Sequence, residues 1–276
     1  MLAIMYISIG LCAVAVIYLL LIMPSLRRHP VVERCMGRSY AHRGLHDSEK
    51  GIPENSLAAF AAAADRGFGM ELDVHLTADR QLMVLHDCSA ERMTGEKLMI
   101  NEQTAERMSQ CRLEGTTHTI PYLSEVLELI AGQVPLIIEL KVDKGNHAAL
   151  CEEVCRLLDG YKGDFLLESF DPKALIWLRR NRPELPRGQL SYFYNRHGDR
   201  IPRIVDFALH NFLTNVAARP DFLAMYHPDK MGFSLRLCRL LFRVPEFDWT
   251  VRTPEQQEEC ERLGNSVIFE KYIPEK

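Results

Sequence analysis

Two histidines and three carboxylates fall on consecutive short apolar runs of this chain. The runs are Tyr40-Ala41-His42-Arg43-Gly44, Met70-Glu71-Leu72-Asp73-Val74, Met83-Val84-Leu85-His86-Asp87 and Leu136-Ile137-Ile138-Glu139-Leu140-Lys141. Each has strand character, and each carries charge where a buried strand should be apolar. A buried charge is costly unless it is paired or bound to a metal. Ion pairing with Arg43 or Lys141 would explain any one acid. Three acids and two histidines on neighbouring strands are better explained together, by one site.

Side chains alternate along a strand, so Glu71 and Asp73 share a face, as do Glu139 and Lys141. Converging carboxylates make an oxygen-rich site for a hard cation, Mg²⁺ or Ca²⁺. His42 and His86 end the first and third expected strands, placed for general acid and general base work near neutral pH. Arg43 offers a planar fork for phosphate, and Lys141 a compact charge. A metal, two cations and two histidines fit phosphoryl transfer better than glycoside hydrolysis. The latter needs mainly two carboxylates and no phosphate clamp.

The elements that must carry these residues alternate along the chain. Strands are expected at Tyr40, Met70–Val74, Leu82–His86, Leu136–Val142, Phe165–Ser169, Gln189–Phe193, Phe222–Met225, Phe247–Val251 and Ser266–Phe269. Helices are expected at Asn55–Arg66, around Glu102–Cys111, from Pro121 with Ser124 as N-cap, and at His147–Leu158 and Pro172–Arg180. Three more follow near Ile204–Phe212, near Leu235–Phe242 and at Pro254–Leu263. No glycine-rich dinucleotide fingerprint follows the first strand. Polar residues gather at the C-terminal ends of at least four strands. The pattern predicts a (β/α)8 TIM barrel with its active site at that face, rather than an open doubly wound sheet. Eight or nine strands are counted, and the sequence does not say which short one lies outside the closed sheet. The apolar side chains near Phe207–Phe212 and Phe233–Phe242 are expected in the core, as the stripe of an amphipathic barrel helix, with contact to membrane or a partner as the alternative.

The first segment differs. Leu2 to Met23 contains no charged residue and is almost wholly apolar. At ~1.5 Å per residue it is long enough to cross a hydrocarbon core of ~30 Å. No basic region precedes it and no A-x-A-like site follows, which favours an uncleaved anchor over a signal peptide. Arg27, Arg28, Arg34 and Arg38 follow the span, so the positive-inside rule places the rest of the chain in the cytoplasm. The expected organisation is a transmembrane anchor at 1–26, a basic linker at 27–38 and a barrel domain at 39–276.

Composition sets broader limits. A net charge of −4 argues against a general nucleic-acid binder. The 8 cysteines include no CxxC pair. Cys151 and Cys155 are neighbours on one face of an expected helix rather than a natural disulfide. The cysteines read as small apolar fillers of a reduced protein.

Together these runs resemble the glycerophosphodiester phosphodiesterase family. The resemblance rests on Ala41-His42-Arg43-Gly44, on Pro53-Glu54-Asn55-Ser56 leading into Ala59-Phe60, and on Glu71-Leu72-Asp73-Val74 with Thr77 and Asp79. It continues through His86-Asp87, Thr94-Gly95, Ile120-Pro121-Tyr122-Leu123, Ile138-Glu139-Leu140-Lys141, Ser169-Phe170 and Trp249-Thr250-Val251. It implies a TIM barrel holding a divalent metal on Glu71, Asp73 and Glu139. It implies His42 and His86 as the acid/base pair, in either order, and Arg43 and Lys141 on the phosphate. Glu54 would support the first histidine or the metal, and Asn55 would cap the first helix. The implied reaction is hydrolysis of a glycerophosphodiester to an alcohol and glycerol 3-phosphate, in phospholipid and glycerol metabolism. Either water or the substrate's own hydroxyl would attack.

The chain departs from the family in two places. Arg252 stands where Asn is usual, and Phe269-Glu270-Lys271-Tyr272-Ile273-Pro274 replaces the usual Thr-Asp-x-Pro ending. Both lie near the expected mouth, outside the implied catalytic set, and bear on substrate selection. Two other readings stand beside the first. One is a lysophospholipase D, whose substrate keeps an acyl chain and which an anchor would hold near lipid. The other is a barrel that binds phosphodiesters without turning them over, which the intact histidines and acids disfavour. Head group, metal and oligomeric state are not set by the sequence.

Overall fold

A computed structural model describes residues 1–275. Lys276, the last residue of the expected barrel domain, lies outside the described residues. Nine strands are found among the described residues: β1 (Ser39–Ala41), β2 (Gly69–Leu76), β3 (Leu82–Val84), β4 (Leu136–Leu140), β5 (Phe165–Ser169), β6 (Arg187–Ser191), β7 (Phe222–Tyr226), β8 (Glu246–Val251) and β9 (Ser266–Phe269). Eight run parallel in the order β1-β9-β8-β7-β6-β5-β4-β2, and β2 pairs back to β1 to close the ring. The ninth, β3, is antiparallel to β2 and lies outside the ring. The ring with its surrounding helices is a TIM barrel, as expected.

Strand alternation sorts the side chains into two shells. Leu72, Val74, Ile138, Leu140 and Leu167 face outward and pack with helix residues such as Phe60, Val126, Val154 and Leu175. The inward shell is layered. Tyr40, Ile137, Leu166, Phe222, Phe247 and Ile268 fill the N-terminal half. Nearer the C-terminal ends stand Asp73, Glu139 and Glu168, with Glu71 on β2 level with Ile137. Register pairs Asp73 with Glu139 and Glu139 with Glu168. The apolar floor thus carries a polar ceiling. Gly69 makes the floor possible, since a Cβ there would come within 2.5 Å of the Tyr40 ring.

The segment expected as a basic linker is built into the barrel. It contains a short helix, Pro30–Cys35, whose Val32 and Cys35 are buried against Tyr40 and the floor residues. Arg27 makes a two-point contact with buried Asp221 at 2.7 and 2.9 Å, and Arg34 reaches Asp164 at 2.6 Å. His29 Nε2 donates to the Glu184 carbonyl at 2.8 Å. A parallel barrel has an open end before its strands begin, and this helix closes it. The cations were read correctly as charges, but not as ion-pair partners.

The first helix, α1 (Leu2–Ile22), is long and apolar enough to cross a membrane. Its last turns do not stand free. Ile22 is fully buried against Phe212, Leu223 and Leu235, with Tyr18 and Leu19 packed alongside. Other elements shift by a few residues from expectation. The helix after β1 is Leu57–Asp65, capped by Ser56, whose hydroxyl accepts from the Ala59 amide. Helix Leu123–Ile130 begins two residues earlier than a Ser124 cap allows. Its N-cap is Tyr122, whose amide is taken by the Glu125 carboxylate at 2.8 Å.

Candidate active site

The turn after β1 sets the first wall of the site. Arg43 and Gly44 both have positive φ, 56° and 78°. The Gly44 amide donates to the Ala41 carbonyl at 3.1 Å, and a Cβ at Gly44 would strike Ala59 at 2.8 Å. Glycine is therefore required by both the backbone and the neighbouring helix. This turn aims the Arg43 amide at Glu71 Oε2, 3.1 Å away, and leaves the guanidinium over the barrel mouth. There Arg43 meets Glu54 Oε1 at 2.9 Å and Asp73 Oδ2 at 3.5 Å.

Glu71, Asp73 and Glu139 are all buried, with one oxygen from each lying within 4.8 Å of the others. Lys141 Nζ sits 2.9 Å from Asp73 Oδ1 and 2.8 Å from Glu139 Oε1. Burial and the neighbouring Asp73 and Glu139 charges push the Glu71 carboxyl well up. Asp73 is held well down against its burial by Lys141, His86 and Arg43. Burial, with Glu139 and Asp73 adding to it, also raises Glu168, and its Oε2 has no hydrogen-bond partner. Four buried acids therefore face two fixed cations, Arg43 and Lys141. More carboxyls than cations, on an all-oxygen donor set, fit a hard divalent cation.

His42 and His86 flank this cluster on different supports. A carboxylate can only accept, so each histidine donates from Nδ1. His42 Nδ1 lies 3.0 Å from Glu270 Oε2, and its Nε2 faces Glu71 Oε2 at 3.9 Å. Burial lowers His42 to about 4, while its hydrogen bond lowers Glu270 to about 2. His86 Nδ1 lies 2.6 Å from Asp87 Oδ1. β3 is the strand outside the ring, and His86 lies two residues beyond it rather than at the end of the third strand as expected. It reaches the mouth because the β2–β3 hairpin folds back, with the Leu85 amide on the Asp73 carbonyl at 3.1 Å. His75 Nε2 donates to the His86 carbonyl at 3.2 Å and fixes the bend.

Other residues take places the sequence did not assign. Glu54 bridges Arg43 and Arg92, at 2.9 and 2.7 Å, instead of contacting a histidine or the acids. Arg92 also holds Asp87 Oδ2 at 2.5 Å, so one arginine ties the two sides of the mouth together. Asn55 does not cap the helix. Its Nδ2 donates to Asp73 Oδ2 at 2.8 Å, from a backbone with φ of 53°. Glu270 was visible only as a departure from a motif. Glu168 carried the same signal as Glu139, an acid inside an apolar strand, and could have been found by it. Arg92 lies in a polar loop and left no such signal.

His42, Arg43, Glu54, Glu71, His86, Glu139, Glu168 and Glu270 line one side of a cleft of about 610 Å³. The opposite side is aromatic. Phe170, Tyr192 and Tyr226 each pack on Trp249, with ring centroids 5.1 to 6.1 Å apart. They come from the ends of β5 to β8 and face the acids and histidines carried by β2, β4 and the segments after β1, β3 and β9.

Residues 42–272 match the glycerophosphoryl diester phosphodiesterase family. The chain belongs to that family. YhdW of Bacillus subtilis, a candidate glycerophosphodiester phosphodiesterase, is 31% identical over 245 residues, covering 84% of this chain and 93% of that one. A lysophospholipase D of Rattus norvegicus is 32% identical over 162 residues, covering 54% of this chain and 49% of its own length. The match thus spans about half of that relative. The structure of a glycerophosphodiester phosphodiesterase from Thermotoga maritima superposes with a TM-score of 0.64 at 27% identity, covering 84% of this chain and 93% of that one. An Oleispira antarctica phosphodiesterase, solved with the product sn-glycerol-3-phosphate, shares the fold with a TM-score of 0.69 at 21% identity, covering 86% and 94%.

Proposed function

We propose that this protein hydrolyses glycerophosphodiesters to an alcohol and glycerol 3-phosphate, with a divalent cation bound by Glu71, Asp73 and Glu139. The observation that carries this reading is the buried acidic triad flanked by two carboxylate-held histidines, in a chain of this family. Mg²⁺ and Ca²⁺ both suit the oxygen donors, and either would offset charge on the phosphoryl oxygens. Arg43 and Lys141 hold the phosphate, and they do so from within ion pairs that fix their positions. Glu54 acts indirectly, by orienting Arg43.

His42 is the base in this reading. Glu270 accepts a hydrogen bond from Nδ1–H, which leaves the Nε2 lone pair directed toward the triad. That nitrogen removes a proton from the attacking hydroxyl, whether of water or of the substrate glycerol. His86 is the acid. It is the more exposed of the two, at 34% against 13% for the His42 side chain. It therefore stands where the leaving alcohol departs, with Asp87 orienting its ring.

A second reading, a substrate that keeps an acyl chain, is favoured by the aromatic half of the cleft. That wall offers apolar surface beyond the phosphate that an acyl chain would cover. Turnover of glycerophosphocholine and lysophosphatidylcholine by the full chain in detergent, with and without metal, separates the readings. Turnover of neither diester would reject both.

We further infer that α1 stays attached as an anchor over residues 1–26, with the barrel at 39–276 in the cytoplasm. A cleaved leader contributes nothing to a core, and Ile22 is part of one. Cys88 is exposed on the barrel and serves as a native reporter. An impermeant thiol reagent should leave it unlabelled in intact cells. Labelling without lysis would put the barrel outside.

A further inference from the structure

The path of α1 along the barrel has a direction. The Ser25 amide donates to the carbonyl of Pro220, just before β7 begins. Tyr18 OH lies 2.7 Å from Ser234 Oγ, and its ring stacks on Phe233 at 6.4 Å; both residues follow the C-terminal end of β7. The helix therefore climbs from the closed end of the barrel to the mouth end. Leu2–Ile17 then continue past the rim, exposed throughout. At ~1.5 Å per residue those sixteen residues reach about 24 Å, most of a ~30 Å hydrocarbon core.

The rim beside that exit is apolar where solvent would ordinarily select polar residues. Helix Arg203–His210, which follows β6, buries none of its residues. Its Ile204 is 78% exposed and its Phe207 52%, and Met231 and Phe233 after β7 are each 67% exposed. The expectation that Phe207–Phe212 and Phe233–Phe242 fill the core holds for Phe212, Leu235 and Cys238 but fails for Phe207 and Phe233. The patch is continuous with α1 through a hydrogen-bonded chain. Ser234 Oγ contacts Tyr18 on one side and Asn211 Oδ1, at 2.5 Å, on the other. Exposed Arg196, Arg200 and Arg203 border the patch. Apolar side chains rimmed by arginine, beside an interfacial tyrosine, suit a headgroup layer with anionic lipid.

We propose that the barrel rests mouth-first on an anionic bilayer, with the segments after β6 and β7 seated in the headgroup layer. The proposal rests on the anchor reading of α1. It deepens the phosphodiesterase reading by naming where substrate comes from. The cleft opens toward lipid, and its aromatic half is formed by Tyr192 and Tyr226, which lead directly into the seated segments. A lysophospholipid could then enter the site while its acyl chain remains in the membrane.

The test uses the full chain in vesicles of phosphatidylcholine and phosphatidylglycerol, with exposed Cys12 and Cys88 replaced by serine. A fluorophore is placed by Ile204→Cys, by Met231→Cys, or by Lys162→Cys at the opposite end. Lipids brominated on the acyl chain should quench the first two at least about threefold more than the third. Equal quenching at the three positions would overturn the proposal. Hydrolysis of glycerophosphocholine and of lysophosphatidylcholine in the same vesicles reads the catalytic assignment separately. Turnover without selective quenching rejects the seating alone. Selective quenching without turnover rejects the catalytic reading alone.

Discussion

Nδ1 of His42 lies 3.0 Å from Oε2 of Glu270, across the seam where the last barrel strand meets the first. The two residues are far apart in sequence, and only closure of the ring joins them. Glu270 also meets Arg252 at 3.5 Å, so both departures from the family pattern lie on one chain of contacts ending at a histidine. Glu270→Gln should lower kcat by about tenfold to a hundredfold with little change in KM, because the base loses its fixed tautomer. Glu270→Asp should recover part of the loss. Steady-state kinetics on both variants checks this, and an unchanged kcat in Glu270→Gln would remove the pair from catalysis.

His42→Ala and His86→Ala should each lower turnover by about a hundredfold or more, the usual scale for losing general acid–base catalysis. Substrates with better leaving groups separate their roles. A diester of a more acidic alcohol needs little protonation, so it should rescue His86→Ala far more than His42→Ala. Equal rescue of both variants would refute the assignment of acid and base.

EDTA should abolish activity, and Mg²⁺ or Ca²⁺ should restore it. Asp73→Asn removes one of the converging oxygens and should raise the metal concentration needed for half activity by about tenfold or more. Metal titration of activity is the measurement. Full turnover by thoroughly demetallated protein would contradict the triad's assignment.

Acid should weaken the fold through the same seam. Burial lowers His42 from 6.5 to about 4, so below pH 6.5 the unfolded chain binds a proton that the folded chain refuses. Glu270 is lowered from 4.5 to about 2 by its bond to His42, so its contribution is present above 4.5 and is lost toward 2. Both slopes have the same sign, and stability falls with pH across these windows. Melting temperature followed from pH 6.5 to 4 should fall less steeply in His42→Ala than in the native chain. Parallel profiles would show that His42 is not protonated on unfolding.

The order of strands and helices was legible because core strands and barrel helices obey simple periodicities. Glu71, Asp73 and Glu139 were legible because an acid in an apolar strand breaks such a rule. What escaped depended on closure. The Glu270–His42 contact, the Arg92 bridge and the place of β3 all join residues with no periodic relation. Residues 27–38 escaped for a different reason. Their charge pattern looked like a solvated linker, whereas Arg27 and Arg34 sit in ion pairs and Val32 and Cys35 fill the barrel's open end. A chain starting at Ser39 should lose more than about 3 kcal/mol of stability with its floor uncovered. Its melting temperature should drop by about 10 °C. Melting at the full chain's temperature would restore the linker reading.

The central claim is that one site cleaves a phosphodiester so that the phosphate stays on glycerol. ³¹P NMR of glycerophosphocholine incubated with the full chain and Mg²⁺ or Ca²⁺ tests it most directly. The account predicts disappearance of the diester signal with stoichiometric appearance of glycerol 3-phosphate and free choline. Phosphocholine and glycerol as products, or an unchanged diester with either metal, would contradict it.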